Sequence, residues 1–186
     1  MNRVFLTKLH LIAAAFMFPA ILMFLATGAL YTWGSTGEWQ EDRFEMALPA
    51  PVGPGDEAAY RAAALSVLAD RDVALPSGKS RLRGEGAEES FSWSGARSEI
   101  EIVRTDDPAI AEVTVKEAGF HRWLVQLHKA KGSVVFKVYA TALALVLFLL
   151  VLSGVVLGLQ VKPYRRLTMT WSVLGAIGFA GFVLLG

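Results

Sequence analysis

The sequence predicts an α-helical membrane protein, with three transmembrane helices and one small α+β domain held outside the bilayer. Three observations predict it. The 186 residues are 54% hydrophobic, above the roughly 45–50% apolar share of an ordinary soluble domain. Three stretches, Leu11 to Leu30, Val138 to Val161 and Leu167 to Gly186, carry no charge and are long enough to cross a hydrocarbon core of roughly 30 Å. The charges are segregated. All seventeen Asp and Glu lie between Glu38 and Glu117 beside nine Lys and Arg, so that span carries −8, while the remainder holds nine cations and no acid. A fully soluble enzyme is excluded. So is a nucleic-acid binder, because no basic patch is expected on the acidic part.

The segments follow in order: an N-terminal tail and first helix (1–33), an extracytoplasmic domain (34–119), a juxtamembrane amphipathic helix (120–133), a second transmembrane helix (134–161), a basic cytoplasmic loop (162–166) and a third transmembrane helix (167–186). In the first helix Thr27 is the only polar side chain of the core and Pro19 sits mid-span, where it frees a carbonyl. Tyr31, Trp33 and Trp39 follow as interfacial aromatics. Arg3 and Lys8 resemble the positive end of a signal peptide, but a core of twenty residues exceeds the usual 7–15. The positive-inside rule puts Arg3, Lys8, Lys162, Arg165 and Arg166 in the cytoplasm and the acidic domain outside. Arg122, Lys129, Lys131 and Lys137 oppose that orientation. They weigh less because they adjoin a loop longer than about 60 residues. Gly154 and Gly158 form a GxxxG, and Gly175, Gly178 and Gly181 a small-residue stripe. Both suit close helix packing within the three-helix unit, and the same pattern serves a homo-oligomer.

In the acidic domain, Pro49 to Gly55 breaks regular structure. Asp56 then caps an amphipathic helix to about Asp70, with Ala59, Ala63, Leu65, Leu68 and Ala69 near one face. Beyond it the period changes to two. Phe91 and Trp93, Ile100 and Ile102, and Val113 and Val115 mark three strands, the last two joined by a turn at Thr105 to Pro108. One helix on a small antiparallel sheet is the economical packing. With no cysteine there is no disulfide, thiolate metal site or Cys nucleophile. Asp106 and Asp107 read as turn carboxylates bonded to backbone, Glu88 and Glu89 as a solvated turn. No G-x-S-x-G elbow and no phosphate-binding Gly-rich loop is present.

The only imidazoles are His10, His121 and His128. His121 and His128 share a face of the juxtamembrane helix but are separated by about 10.5 Å of rise, too far for one metal ion. His10 and His128 belong to opposite membrane faces, roughly 30 Å apart in depth, so one haem cannot bridge them. A haem takes one histidine and a further ligand such as Met17, Met23 or Met169, or a second copy of the chain. The bland reading of His10 is a half-wet interfacial side chain.

Leu9-His10, Phe18-Pro19 and Thr27-Gly28-Ala29-Leu30 resemble the first helix of PepSY-associated transmembrane proteins, with an LH near its start and a TG near its end. Leu127-His128, Gly132 and Ser153-Gly154 resemble the LH…G…[ST]G of that family's later helix. The Ala-rich helix and the Asp107-Pro108 turn between strands are similar to a PepSY module. The resemblance implies a bacterial inner-membrane protein with a periplasmic PepSY-like domain, in a short three-helix form. It maps haem b ligation onto His10 and His128, and links longer members to iron uptake as ferric-siderophore reductases. Two functions follow. The first is a non-catalytic anchored accessory or interaction module, meeting an exported protein partner or a ferric-chelate uptake system. The alternative is a haem-binding electron-transfer component of a ferric-siderophore reductase.

Overall fold

The computed structural model describes every residue except 1, 2, 49–51, 54, 85, 87, 88, 108 and 186, and of Arg3 the backbone alone. Pro49, Ala50, Pro51, Pro54, Glu88, Pro108 and Gly186 of the expectations above therefore lie outside the described residues. The element order is α1 (Arg3–Thr32), β1 (Trp39–Ala47), α2 (Glu57–Asp70), β2 (Ser80–Arg83), β3 (Ser90–Ser94), β4 (Ser98–Arg104), β5 (Ile110–Ala118), α3 (Phe120–His128), α4 (Val134–Gln160) and α5 (Lys162–Leu185). The chain forms two compact units, residues 1–21 with 141–186, and residues 22–140.

The first unit is helical. Its helices belong to three that are long and apolar enough to cross a membrane, α1, α4 and α5. Leu6, Leu143 and Leu150 are buried, whereas Phe16, Phe148, Phe179 and most other large apolar side chains are exposed, as lipid-facing surfaces are. Helix α1 continues unbroken through Pro19. The expected basic loop 162–166 is corrected: Lys162 to Arg166 form the first turn of α5, and Val161 alone separates the helices. Its carbonyl accepts from the Tyr164 and Arg165 amides at 2.9 and 3.0 Å, and Pro163 is tolerated in a first turn, where its missing N–H costs nothing. Arg165 Nε donates to the Leu159 carbonyl at 3.2 Å, satisfying the end of α4. A Cβ at Gly175, Gly178 or Gly181 would meet nothing within 4 Å of the chain's described residues, whereas one at Gly158 would collide with Thr168.

The second unit is built on a five-stranded sheet of order β1-β5-β4-β3-β2, antiparallel throughout. Period-two alternation sends Phe91, Trp93, Ile100, Ile102, Val113 and Val115 to one face. There they pack with Tyr60, Ala63, Ala64, Val67 and Leu68 of α2, each fully buried large side chain worth about 1.5–3 kcal/mol. Asp56 caps α2 by accepting from the Ala59 amide at 3.0 Å. The buried face is rotated from the expected one: Tyr60, Ala64 and Val67 join Ala63 and Leu68, Ala59 is half-buried against them, and Leu65 and Ala69 are exposed. In the β4–β5 turn the Asp107 carboxylate accepts from the Ala109 amide at 2.8 Å.

Two strands escaped the sequence pattern. Strand β1 turns only Phe44 and Met46 toward the core, and Trp39, expected at an interface, is its first residue. Strand β2 turns in only Leu82. Both are edge strands, and edges carry charge to discourage further pairing.

Candidate functional site

Two histidine–hydroxyl pairs stand out among the described residues, one in each unit. In the first, His10 of α1 faces Ser153 of α4, with Nδ1 2.9 Å from Oγ. Ser153 Oγ also donates to the Leu150 carbonyl at 2.9 Å. A hydroxyl has one proton to give: with that proton on the Leu150 carbonyl, His10 donates through Nδ1–H, and in that neutral tautomer Nε2 carries the free lone pair. Around the imidazole lies an apolar pocket of about 420 Å³, lined by Leu6, Leu9, Ala13, Leu149 and Val156 among others, with His10 and Ser153 its polar members.

The second pair repeats the chemistry. His128, the last residue of α3, has Nδ1 3.1 Å from Thr27 Oγ1 of α1. Thr27 Oγ1 donates to the Met23 carbonyl at 2.7 Å, the back-bond of a buried threonine to its own helix. With the Thr27 proton on that carbonyl the imidazole is the donor through Nδ1–H, and in that neutral tautomer Nε2 carries the lone pair. Phe24 tilts against the ring with centroids 5.2 Å apart. Neither Nε2 has a hydrogen-bond partner among the described residues.

The glycine after Thr27 makes room for the ring: a Cβ at Gly28 would stand 3.0 Å from His128 Cε1, whereas one at Gly154 would stand 3.8 Å from His10 Cε1, an ordinary contact. The short motifs thus interlock: the Leu-His of α1 meets the Ser-Gly of α4, and the Leu-His of α3 meets the Thr-Gly of α1. Ser153 and Thr27 were missed as site residues. The recurrence of hydroxyl-then-glycine after each Leu-His was the signal that could have found them.

His121 stands apart from both pairs, its Nε2 buried with no hydrogen-bond partner among the described residues. Met23 lies beside Thr27, sulfur to Oγ1 3.9 Å, while Met17 and Met169 do not line the pocket at His10. Among the described residues no three of His, Cys, Asp and Glu cluster as a metal site would. Glu89 is corrected. It is 2% exposed rather than solvated, with Oε2 accepting from the Gly55 amide at 2.7 Å and Oε1 4.0 Å from Arg104. Beside it the Tyr60 phenol is pushed up to about 12, by burial first and then by the neighbouring Glu89.

The absence of a basic patch is corrected too. Lys79, Arg81, Arg83, Lys131 and Lys137 line one groove of about 750 Å³. Strand alternation puts Arg81 and Arg83 on one side of β2, and the fold adds lysines from about fifty residues later.

A family model for the PepSY-associated TM region matches residues 1–160. The chain belongs to that family. No curated protein and no solved structure matches it. Both pairs of this PepSY-associated TM chain lie inside the matched range, and α5 lies beyond it. The protein is thus a membrane protein of the PepSY-associated TM family, with three apolar helices and a small α+β domain.

Proposed function

We propose that this chain is a haem-carrying electron-transfer component of the bacterial inner membrane, its N-terminus cytoplasmic and its α+β domain periplasmic. One observation carries the reading: each Leu-His imidazole is fixed through Nδ1 by a hydroxyl and offers a bare Nε2. Metal-binding histidines are oriented in this way by a partner on the other nitrogen. The residues around His10 fit the group. The pocket at His10 is walled by aliphatic side chains suited to a porphyrin face, with one imidazole as ligand. His10 and His128 would each hold an iron, and haem iron supplies one-electron chemistry when bound. Ser153 and Thr27 hold the rings through Nδ1, Gly28 leaves the His128 ring space, and the apolar walls at His10 exclude water. The family resemblance supports a ferric chelate as the electron acceptor, and Arg3, Lys8, Lys162, Arg165 and Arg166 support the orientation.

The full chain, purified in detergent from cells well supplied with haem, is expected to show a Soret band. His10→Ala and His128→Ala should each remove part of it. A sample without Soret absorbance overturns the proposal and leaves the anchored interaction module standing.

A further inference from the structure

The sheet of the second unit has two faces, and α2 covers one. On the open face near β1 the charges are paired across strands, Lys116 with Glu41 at 3.4 Å and Arg43 with Glu112 at 2.8 Å. Near β2 they are not. Lys79, Arg81, Arg83 and Lys131 have no ion-pair partner among the described residues. The register explains why. Ser92 stands between Arg81 and Glu101 in one cross-strand row, and Ser94 stands beside Glu99 in the next. Strands are about 4.8 Å apart, so the serine row holds the cations of β2 two strands away from the carboxylates of β4. A floor of hydroxyls results, with guanidinium groups along one side.

The opposite wall is the chain from Ala130 to Lys137. Ser77 ties it to the sheet by donating to the Lys131 carbonyl at 3.2 Å. That wall includes the start of α4, which is long and apolar enough to span a membrane. Five cations against Glu99 and Glu101 make the groove +3: three of them, Lys79, Arg81 and Arg83, come from the span that totals −8, and Lys131 and Lys137 from beyond it. At about 30 Å³ per water, a groove of about 750 Å³ is a wet site, and its occupant is polar and anionic.

We propose that this groove binds the headgroup of an anionic phospholipid, the phosphate taken by the rim of Arg81, Arg83 and Lys131 and the headgroup hydroxyls by the serine floor. Lipid is the source because residues that begin a membrane span lie at headgroup level, within the roughly 8 Å over which surface charge acts at physiological salt. The reading is independent of haem.

The test uses the full chain in lipid nanodiscs of phosphatidylcholine doped with phosphatidylglycerol, with retained lipid measured by native mass spectrometry after detergent release. Wild type is expected to keep phosphatidylglycerol selectively. Arg81→Gln and Lys131→Gln should each weaken retention about five-fold, the effect of about one unit of charge at the surface. Ser92→Asp, which adds an anion to the floor without touching the core face, should abolish it, and Glu101→Gln should strengthen it. Near-ultraviolet circular dichroism of each variant reports the fold. Equal retention of both lipids, or retention unchanged in all four variants, overturns the proposal. So does binding of inorganic phosphate that depends on Arg81 while phosphatidylglycerol is not retained, because the source is then a soluble anion.

Discussion

Glu89→Gln isolates one charge in the buried cluster of Tyr60, Glu89 and Arg104. Glutamine keeps a carbonyl oxygen for the Gly55 amide, so that contact at 2.7 Å survives. What disappears is the negative charge 4.0 Å from Arg104, whose side chain is only 16% exposed. At 4 Å and an effective dielectric of 20 such a pair attracts by about 4 kcal/mol, a ceiling, since neutralising Glu89 also relieves its own desolvation. The expected loss is about 2–3 kcal/mol. Guanidinium titration of the full chain in detergent, followed by tryptophan fluorescence from the buried Trp93, measures it. Tyr60 gives a second readout. Its phenol is raised to about 12, burial being the first cause and Glu89 the next, so in Glu89→Gln the late tyrosinate absorbance should move down toward 10. A raised pKa stabilises the fold fully below pH 10, and that contribution, about 3 kcal/mol for two units, is lost as pH climbs through 12. The window should narrow in Glu89→Gln. A stability change under about 0.5 kcal/mol, the size of an ordinary surface substitution, with an unmoved tyrosinate titration, would refute the reasoning.

Gly28→Val should displace the His128 ring, since even a Cβ would stand 3.0 Å from Cε1, whereas Gly154→Ala has 3.8 Å to His10 and ordinary contact. The haem spectrum should change in the first and not in the second, and identical spectra would remove the glycine argument. Gly37→Ala meets two penalties, a φ of +71° and a Cβ 2.8 Å from Arg122 Cα. Strain and overpacking together should cost about 2–4 kcal/mol by the same denaturation, and a wild-type midpoint would contradict that.

What could be read from the chain was what is local. The three apolar helices follow from uncharged length, the cap of α2 from Asp56, and the strands at Phe91, Ile100 and Val113 from strict alternation. What could not be read depends on partners distant in sequence. Strand β1, with the polar run Gln40 to Arg43, looks like a loop until β5 supplies nine residues of pairing. Glu89 looks solvated until Gly55 and Arg104 close on it. The basic groove is invisible in the sequence, because Arg81 lies in the span that totals −8 and Lys131 lies beyond it, and folding puts both on one groove. The histidines were found singly. The hydroxyls that fix their tautomers lie more than one hundred residues away in the chain.

The β1–β5 ladder has a mechanical consequence. Trp39, where the chain arrives from α1, pairs with Ala118, where it departs toward α3. Both connections therefore leave from the same end of the ladder. A force that draws α1 and α3 apart loads it as a fork, one rung at a time, and not in shear across all nine. The crotch of the fork is reinforced: the Gly119 amide adds a rung to the Glu38 carbonyl at 3.2 Å, and Arg122 lies over the Trp39 ring and donates to the Thr36 carbonyl. Splaying of the two helices would accordingly be registered first at Trp39 and Ala118 and last at Ala47 and Ile110, so the ladder grades tension by how far it has opened.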